Sequence, residues 1–282
     1  MNNRIFYTPK EKKQFHRKHR GFRWYMAMGI ILVLMFGTGL FFVVRISALQ
    51  VADITMSGLD TLREDNVRQE VALALNGSYA LGFIPYRFII AVPIEAITRH
   101  LQNRFPLIGE VEIQKEFPDK LFLAIREREL FGVLCNDATL QEDLDMPKDT
   151  ACAYIDTDGI AYQQAPQSHG FLITKISTDD ESIPYTGQAI KKETIDRMID
   201  LSKILPPIIG SPILGYELLR TSSREMRVFT RQGFSLLMKR DGDKDALMFI
   251  LKTVLEKEIG QRRAQLDYMD LRFGNKVFYK FK

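Results

Sequence analysis

A chain of 282 residues, 46% hydrophobic and 26% charged, has the composition of folded protein and enough length for about two domains, which excludes wholesale disorder. Two cysteines cannot build a disulfide-dense scaffold or a four-thiolate zinc site, and four histidines leave little imidazole for chemistry. The formal charge of +4 is segregated: eight cations and one anion fall in residues 1–23, leaving 31 cations and 34 anions in the rest. The protein is therefore not basic; its N-terminal tail is.

Trp24 to Val44 follows the tail without a single charge. As a helix it measures roughly 31 Å, about the thickness of a bilayer hydrocarbon core. Trp24 and Tyr25 suit one interface, Arg45 closes the other end, and the basic tail places residues 1–23 in the cytoplasm and 45–282 outside it. The run is too long for a signal peptide, and the following Arg45–Asp53 segment offers a poor cleavage site. The tail's cations read as topology and attraction to anionic lipid heads, about 1 kcal/mol each near the surface, rather than as a nucleic-acid site.

Val51 to Met56 alternates as a strand and stops at Ser57-Gly58. Thr61 and Glu64 have capping-box spacing ahead of a helix with Val67, Val71, Ala74 and Leu75 on one stripe, ended at Asn76-Gly77. A loop with Pro85 leads to a second helix, with Pro93 near its first turn and Ile94, Ile97, Leu101 and Phe105 on one face; Pro106 ends it. Leu107–Lys115 and Leu121–Arg126 read as strands joined by a Phe117-Pro118-Asp119-Lys120 turn.

Leu130–Cys135 and Cys152–Asp156 read as strands around an acidic insertion, Asn136–Ala151, and Asp158-Gly159 as a hairpin turn. Calcium-loop spacing fails at Asp156–Gly159 and at Asp241–Asp245, where ligand positions fall on Tyr154, Ala165 and Lys252. Ile190–Leu205 is helical by pattern, broken at Pro206-Pro207. Gly215–Arg220, Arg224–Thr230 and Phe234–Lys239 form a meander, and Leu247, Ile250, Leu251, Val254 and Leu255 a helical face ending near Gly260. Leu266–Phe273 and Lys276–Lys282 close the chain as a hairpin. A three-residue connection, Gly274 to Lys276, gathers Met269, Leu271, Phe273, Val277, Tyr279 and Phe281 on one face and sets Asp270 opposite Lys280.

Cys135 and Cys152 end strands that should be neighbours, on the side of the membrane where disulfides persist, so a bridge is expected. His100 reads as an exposed helix residue and His169 as a loop residue, too far apart in sequence to suggest a pair. No Gly-x-Ser-x-Gly elbow, P-loop or HExxH is present, and no cofactor, metal site or enzymatic activity is expected. The Asn76-Gly77-Ser78 sequon is better explained by the helix stop.

The run FPLIGEVEIQKEFPDKLFLAIREREL, with its aromatic-Pro pair (Phe105-Pro106), Pro-Asp turn (Pro118-Asp119) and Glu127-Arg128-Glu129, resembles the POTRA domain of the FtsQ/DivIB cell-division family. Asp270-Leu271-Arg272-Phe273 before a last strand resembles the end of that family's β domain. The resemblance implies an α+β chain: tail 1–23, transmembrane helix 24–44, POTRA domain 46–128 (β-α-α-β-β), and a mixed β-sheet domain with packed helices, 129–282. It implies a single-pass, non-enzymatic divisome scaffold at the septum of the inner membrane, linking early cytoplasmic division proteins to septal peptidoglycan synthesis. FtsB/FtsL-like partners would bind by strand addition at Phe273, Lys276, Val277, Phe278, Tyr279, Lys280, Phe281 and Lys282; other divisome components would meet the POTRA domain. The side chains of Val277, Tyr279 and Phe281 are assigned to completing the sheet, the strand's backbone to binding. The alternative, a POTRA-containing envelope assembly or secretion factor, would need a C-terminal barrel that the two helical stretches argue against.

Overall fold

The structure, a computed structural model, describes residues 9–136, 151–166, 173–180, 182–219, 224–274 and 276–282. Most of the acidic insertion, His169 and Asn275 lie outside the described residues. The fold is mixed α+β and divides into two units, Met1–Glu127 and Arg128–Lys282.

The first unit begins with α1 (Pro9–Val43), of which Phe22–Val43 is long and apolar enough to cross a membrane. Then come β1 (Asp53–Ser57), α2 (Glu64–Ala74), a small ribbon of β2 (Ser78–Tyr79) and β3 (Ile84–Pro85), α3 (Ile94–Arg104), β4 (Ile108–Glu116) and β5 (Lys120–Glu127). Central β5 pairs parallel with β1 and antiparallel with β4. Its strict alternation buries Leu121, Leu123 and Ile125 against Val67, Val71, Ile97 and Leu101 of the two helices. In β4 the buried Ile108 and Ile113 are five residues apart, which would put them on opposite faces. A bulge between Ile108 and Glu110 restores the common face.

One local expectation fails here, and a second, the stop at Asn76-Gly77, holds for a different reason. The capping box does not form: Arg63, not Thr61, is the N-cap residue of α2, and no side chain caps it. The Glu127 carboxylate instead reaches back to accept the N–H groups of Asp60, Thr61 and Leu62 at 2.9–3.1 Å. Burial opposes its charge, but these donors outweigh that and hold its pKa below the usual range. Gly77 is required not as a left-handed cap but by close approach, because a Cβ there would stand 2.3 Å from the Tyr86 ring.

The second unit is a ten-stranded sheet with two long helices. Its strands are β6 (Leu130–Cys135), β7 (Cys152–Asp156), β8 (Ile160–Gln164), β9 (Thr174–Thr178), β10 (Gly187–Gln188), β11 (Ile213–Leu219), β12 (Glu225–Thr230), β13 (Ser235–Lys239), β14 (Leu266–Phe273) and β15 (Lys276–Phe281). The spatial order is β10-β8-β7-β6-β9-β11-β12-β13-β14-β15. Parallel neighbours need long crossovers. Helix α4 (Lys192–Ile209) supplies the one from β9 to β11, and α5 (Lys244–Val254) the one from β13 to β14. Both helices bury their stripes in one core with Tyr216, Met226, Phe234, Met238 and Met269. The Tyr216 hydroxyl donates to the Met198 carbonyl at 2.8 Å, tying α4 to β11.

Helix α4 is not broken at Pro206-Pro207 but runs through both prolines to Gly210, which adopts φ 69°. The prolines remove donors to the Ser202 and Lys203 carbonyls, on the exposed side of the helix where water can replace them. Fully buried Leu205 and Ile209, one turn apart, hold the last turn in place. Packing overrides propensity here. At α5 the Asp243 side chain accepts from the Asp245 and Ala246 N–H groups and so caps the helix.

Candidate partner-binding edge

The sheet ends at β15, whose outer side carries no strand among the described residues. The β14–β15 register corrects the expected one. Phe273 pairs with Lys276, so the connection is two residues rather than three, and Asp270 faces Phe278, not Lys280. Lys280 stands opposite Tyr268 and its amine reaches Asp267 at 3.3 Å.

The difference arises because the expected register supposes an unbroken ladder, which β14 does not provide. Two bulges interrupt the pairing, one between Leu266 and Tyr268 and one between Asp270 and Phe273. Both place their extra residue on β14. The first explains why Leu266 and Met269, three apart, are both buried. Because β14 absorbs both irregularities, β15 remains an uninterrupted strand.

The direction of its backbone groups follows. The Lys282 N–H donates inward to the Gln265 carbonyl at 2.8 Å. By two-residue alternation, Lys276, Phe278 and Lys280 direct their N–H and C=O groups toward β14. Val277, Tyr279 and Phe281 direct theirs outward, to the open edge.

Side chains alternate with the same period. Val277 and Phe281 pack on the main core, while Lys276, Phe278, Lys280 and Lys282 occupy the other face. Phe273 and Phe278 meet edge to face at 5.3 Å, yet each stays more than half exposed. Tyr279 contacts Phe281 at 5.7 Å, and the Arg262 guanidinium lies 4.6 Å from the centre of the Phe281 ring. Around β15 the structure thus brings the predicted residues together as an open edge flanked by solvent-facing aromatics and lysines.

Arg272 belongs to the Asp270-Leu271-Arg272-Phe273 run but lies outside the expected partner-binding residues. It is bidentate to buried Asp270 (2.8 and 2.6 Å), reaches Glu225 at 2.7 Å and approaches the Phe273 ring at 5.6 Å. Its spacing from Asp270, two residues apart and so on one face of a strand, is the signal that could have found it. The side-chain bond from Arg272 is the main reason the Asp270 pKa lies below the ordinary range. Such a group contributes stability that is full above its unfolded pKa of about 4 and is lost as pH falls through the folded value. Asp270→Asn should therefore cost about 2 kcal/mol at pH 7, and the gap from wild type should narrow below pH ~4 in urea unfolding.

In the other half of the sheet, Cys135 and Cys152 face each other across β6–β7 and are bonded, with Cα atoms 4.2 Å apart. The bridge closes a sequence separation of 17 residues. Removing it with Cys135→Ser and Cys152→Ser should destabilise by about 3 kcal/mol in the chain-entropy description, read as a lowered urea midpoint. His100 lies on α3, where its Nε2 is 2.9 Å from Glu70, and Arg104 holds the other oxygen at 3.1 Å. These contacts, His100 first, keep the Glu70 pKa low; the histidine links α3 to α2. The Asp156 carboxylate is fully engaged by Arg128 and by the N–H groups of Asp158 and Ile160. No protein-family model matches this chain, and no curated protein matches it either.

Proposed function

We propose that this chain is a membrane-anchored, non-enzymatic scaffold of the bacterial division machinery, of the FtsQ/DivIB kind, which recruits FtsB/FtsL-like partners by strand addition at β15. The observation that carries this reading is the open, unbulged C-terminal edge, with the backbone groups of Val277, Tyr279 and Phe281 turned outward. An edge of this kind offers a ladder that a partner strand completes. The apolar α1 helix supports a single-pass anchor in the inner membrane, and the cationic tail supports a cytoplasmic N-terminus. The β-α-α-β-β order of the first unit, with the ribbon between its helices, supports a POTRA domain that meets other divisome components.

Photo-crosslinking in cells from single positions within 276–282 tests the reading. The expected product is an adduct with a small bitopic coiled-coil protein at the septum, from several of these positions. Septal localisation without any adduct would refute the β15 site. Lytic or synthetic activity of the purified chain on cell-wall fragments would refute the non-enzymatic assignment.

A further inference from the structure

The ribbon between α2 and α3 carries the most exposed large apolar side chain among the described residues. Leu81 is 103% exposed and Phe83 is 59% exposed, at the tip of a stretch, Ser78 to Tyr86, that contains no charge. Ala80 and Leu81 both adopt left-handed backbone, φ 50° and 55°. For a leucine that conformation is strained, and here the side chain it carries is left fully exposed. A protein that spends strain to expose leucine has something for it to meet.

The position of the tip says what that is. The Arg45 guanidinium, at the end of the apolar helix, donates to the Gly82 carbonyl at 2.9 Å, and the Phe83 ring meets Phe41 at 6.0 Å. A groove of about 660 Å³ separates the tip from α1, walled by Val33, Leu34, Gly37, Phe41, Phe83 and Ile84. Leu34 precedes Arg45 by eleven residues, roughly 16 Å along a helix. If α1 crosses the bilayer, the groove therefore lies at acyl-chain depth and the tip at its outer rim.

Polar groups there fit the same level. Gly82 O is satisfied by Arg45, Phe83 N–H donates to Ala80 O, and Tyr86 N–H donates to Gly77 O, so these polar groups reach that level already partnered. Tyr79 and Tyr86 pack edge to face at 4.6 Å behind the tip, the residue type favoured at membrane–water interfaces.

We propose that the Tyr79–Ile84 tip is a second membrane contact, which lays Leu81 and Phe83 into the outer interface of the phospholipid bilayer beside the span. This rests on the reading that α1 crosses the membrane. The contact would fix the orientation of the first unit on the membrane surface, which a single helix alone leaves free to rotate.

The test uses the full chain reconstituted in phosphatidylcholine–phosphatidylglycerol vesicles containing brominated lipid. Trp24 is the chain's one tryptophan, so Trp24→Phe with Leu81→Trp moves the fluorescent reporter to the tip. Because Leu81 is fully exposed, the larger ring meets no packing constraint. The expected result is a blue-shifted emission that loses most of its intensity to shallow bromines and is protected from acrylamide. Acrylamide quenching without bromine quenching, while Trp24 of the unaltered chain is quenched by bromine, would overturn the tip contact and leave the span standing. Protection from both quenchers would mean that protein covers the tip, and would also overturn the proposal. Failure of bromine to quench either Trp24 or the new tryptophan would overturn the span and the tip contact together.

Discussion

Tyr279→Pro should abolish the proposed partner capture at β15 while leaving the hairpin folded. Proline lacks the N–H and fixes φ near −65°, so its effect depends on which way the lost donor points. The Tyr279 N–H points to the open edge, as the inward Lys282 N–H and the unbroken alternation of β15 require. No ladder bond within the chain is lost, and the urea midpoint should move by well under 1 kcal/mol equivalent. Phe278→Pro is the matched opposite. Its N–H points toward β14, where Phe278 pairs with Asp270, so proline there should cost about 3 kcal/mol or more and loosen the whole edge. The pair separates backbone recognition from side-chain recognition, because Tyr279→Ala keeps the donor and removes the ring. Crosslinking that is lost with Tyr279→Ala as completely as with Tyr279→Pro would show that the ring, not the backbone, is what the partner reads.

How far the sequence carries such reasoning depends on the range of the interaction. The alternation of Leu121, Leu123 and Ile125 and the stripe of Ile97 and Leu101 are local patterns, and these two elements lie within a residue or two of their expected places. The bulges in β14 were not legible, because an extra residue is tolerated only where the neighbouring strand and the core accept it. That is why the expected connection was one residue too long. The edge position of β15 rests on its pairing with β14 alone among the described residues, and the outward direction of Val277, Tyr279 and Phe281 needed the register. Carboxylates were read least well. Glu127 serves Asp60, Thr61 and Leu62 from more than sixty residues away, and no spacing rule connects them. The Glu127-Arg128-Glu129 run, met first as a motif, resolves into separate duties: Glu127 clamps the turn before α2, Arg128 pairs with Asp156, and the Glu129 carbonyl accepts from Thr157.

The Arg128–Asp156 pair is where the second unit should be most sensitive to a single change. Asp156 is 2% exposed, and one of its oxygens lies 2.6 Å from Arg128, itself largely buried. Its other oxygen accepts the Asp158 and Ile160 N–H groups at 2.9 Å, which shapes the β7–β8 turn around Gly159. Asp156→Ala removes all three acceptor contacts and strands a guanidinium whose Nε already has no partner among the described residues. Breaking a buried pair from one side in this way costs roughly 3–5 kcal/mol. Arg128→Ala is expected to cost less, about 2 kcal/mol, because Asp156 keeps its two backbone donors. The double variant should therefore be no less stable than Asp156→Ala alone, since the charge that made the single change expensive is gone. Urea unfolding of the four proteins gives the coupling directly. Additive losses would mean that the two side chains act independently, and that the turn is held by the Asp156 backbone bonds without help from Arg128.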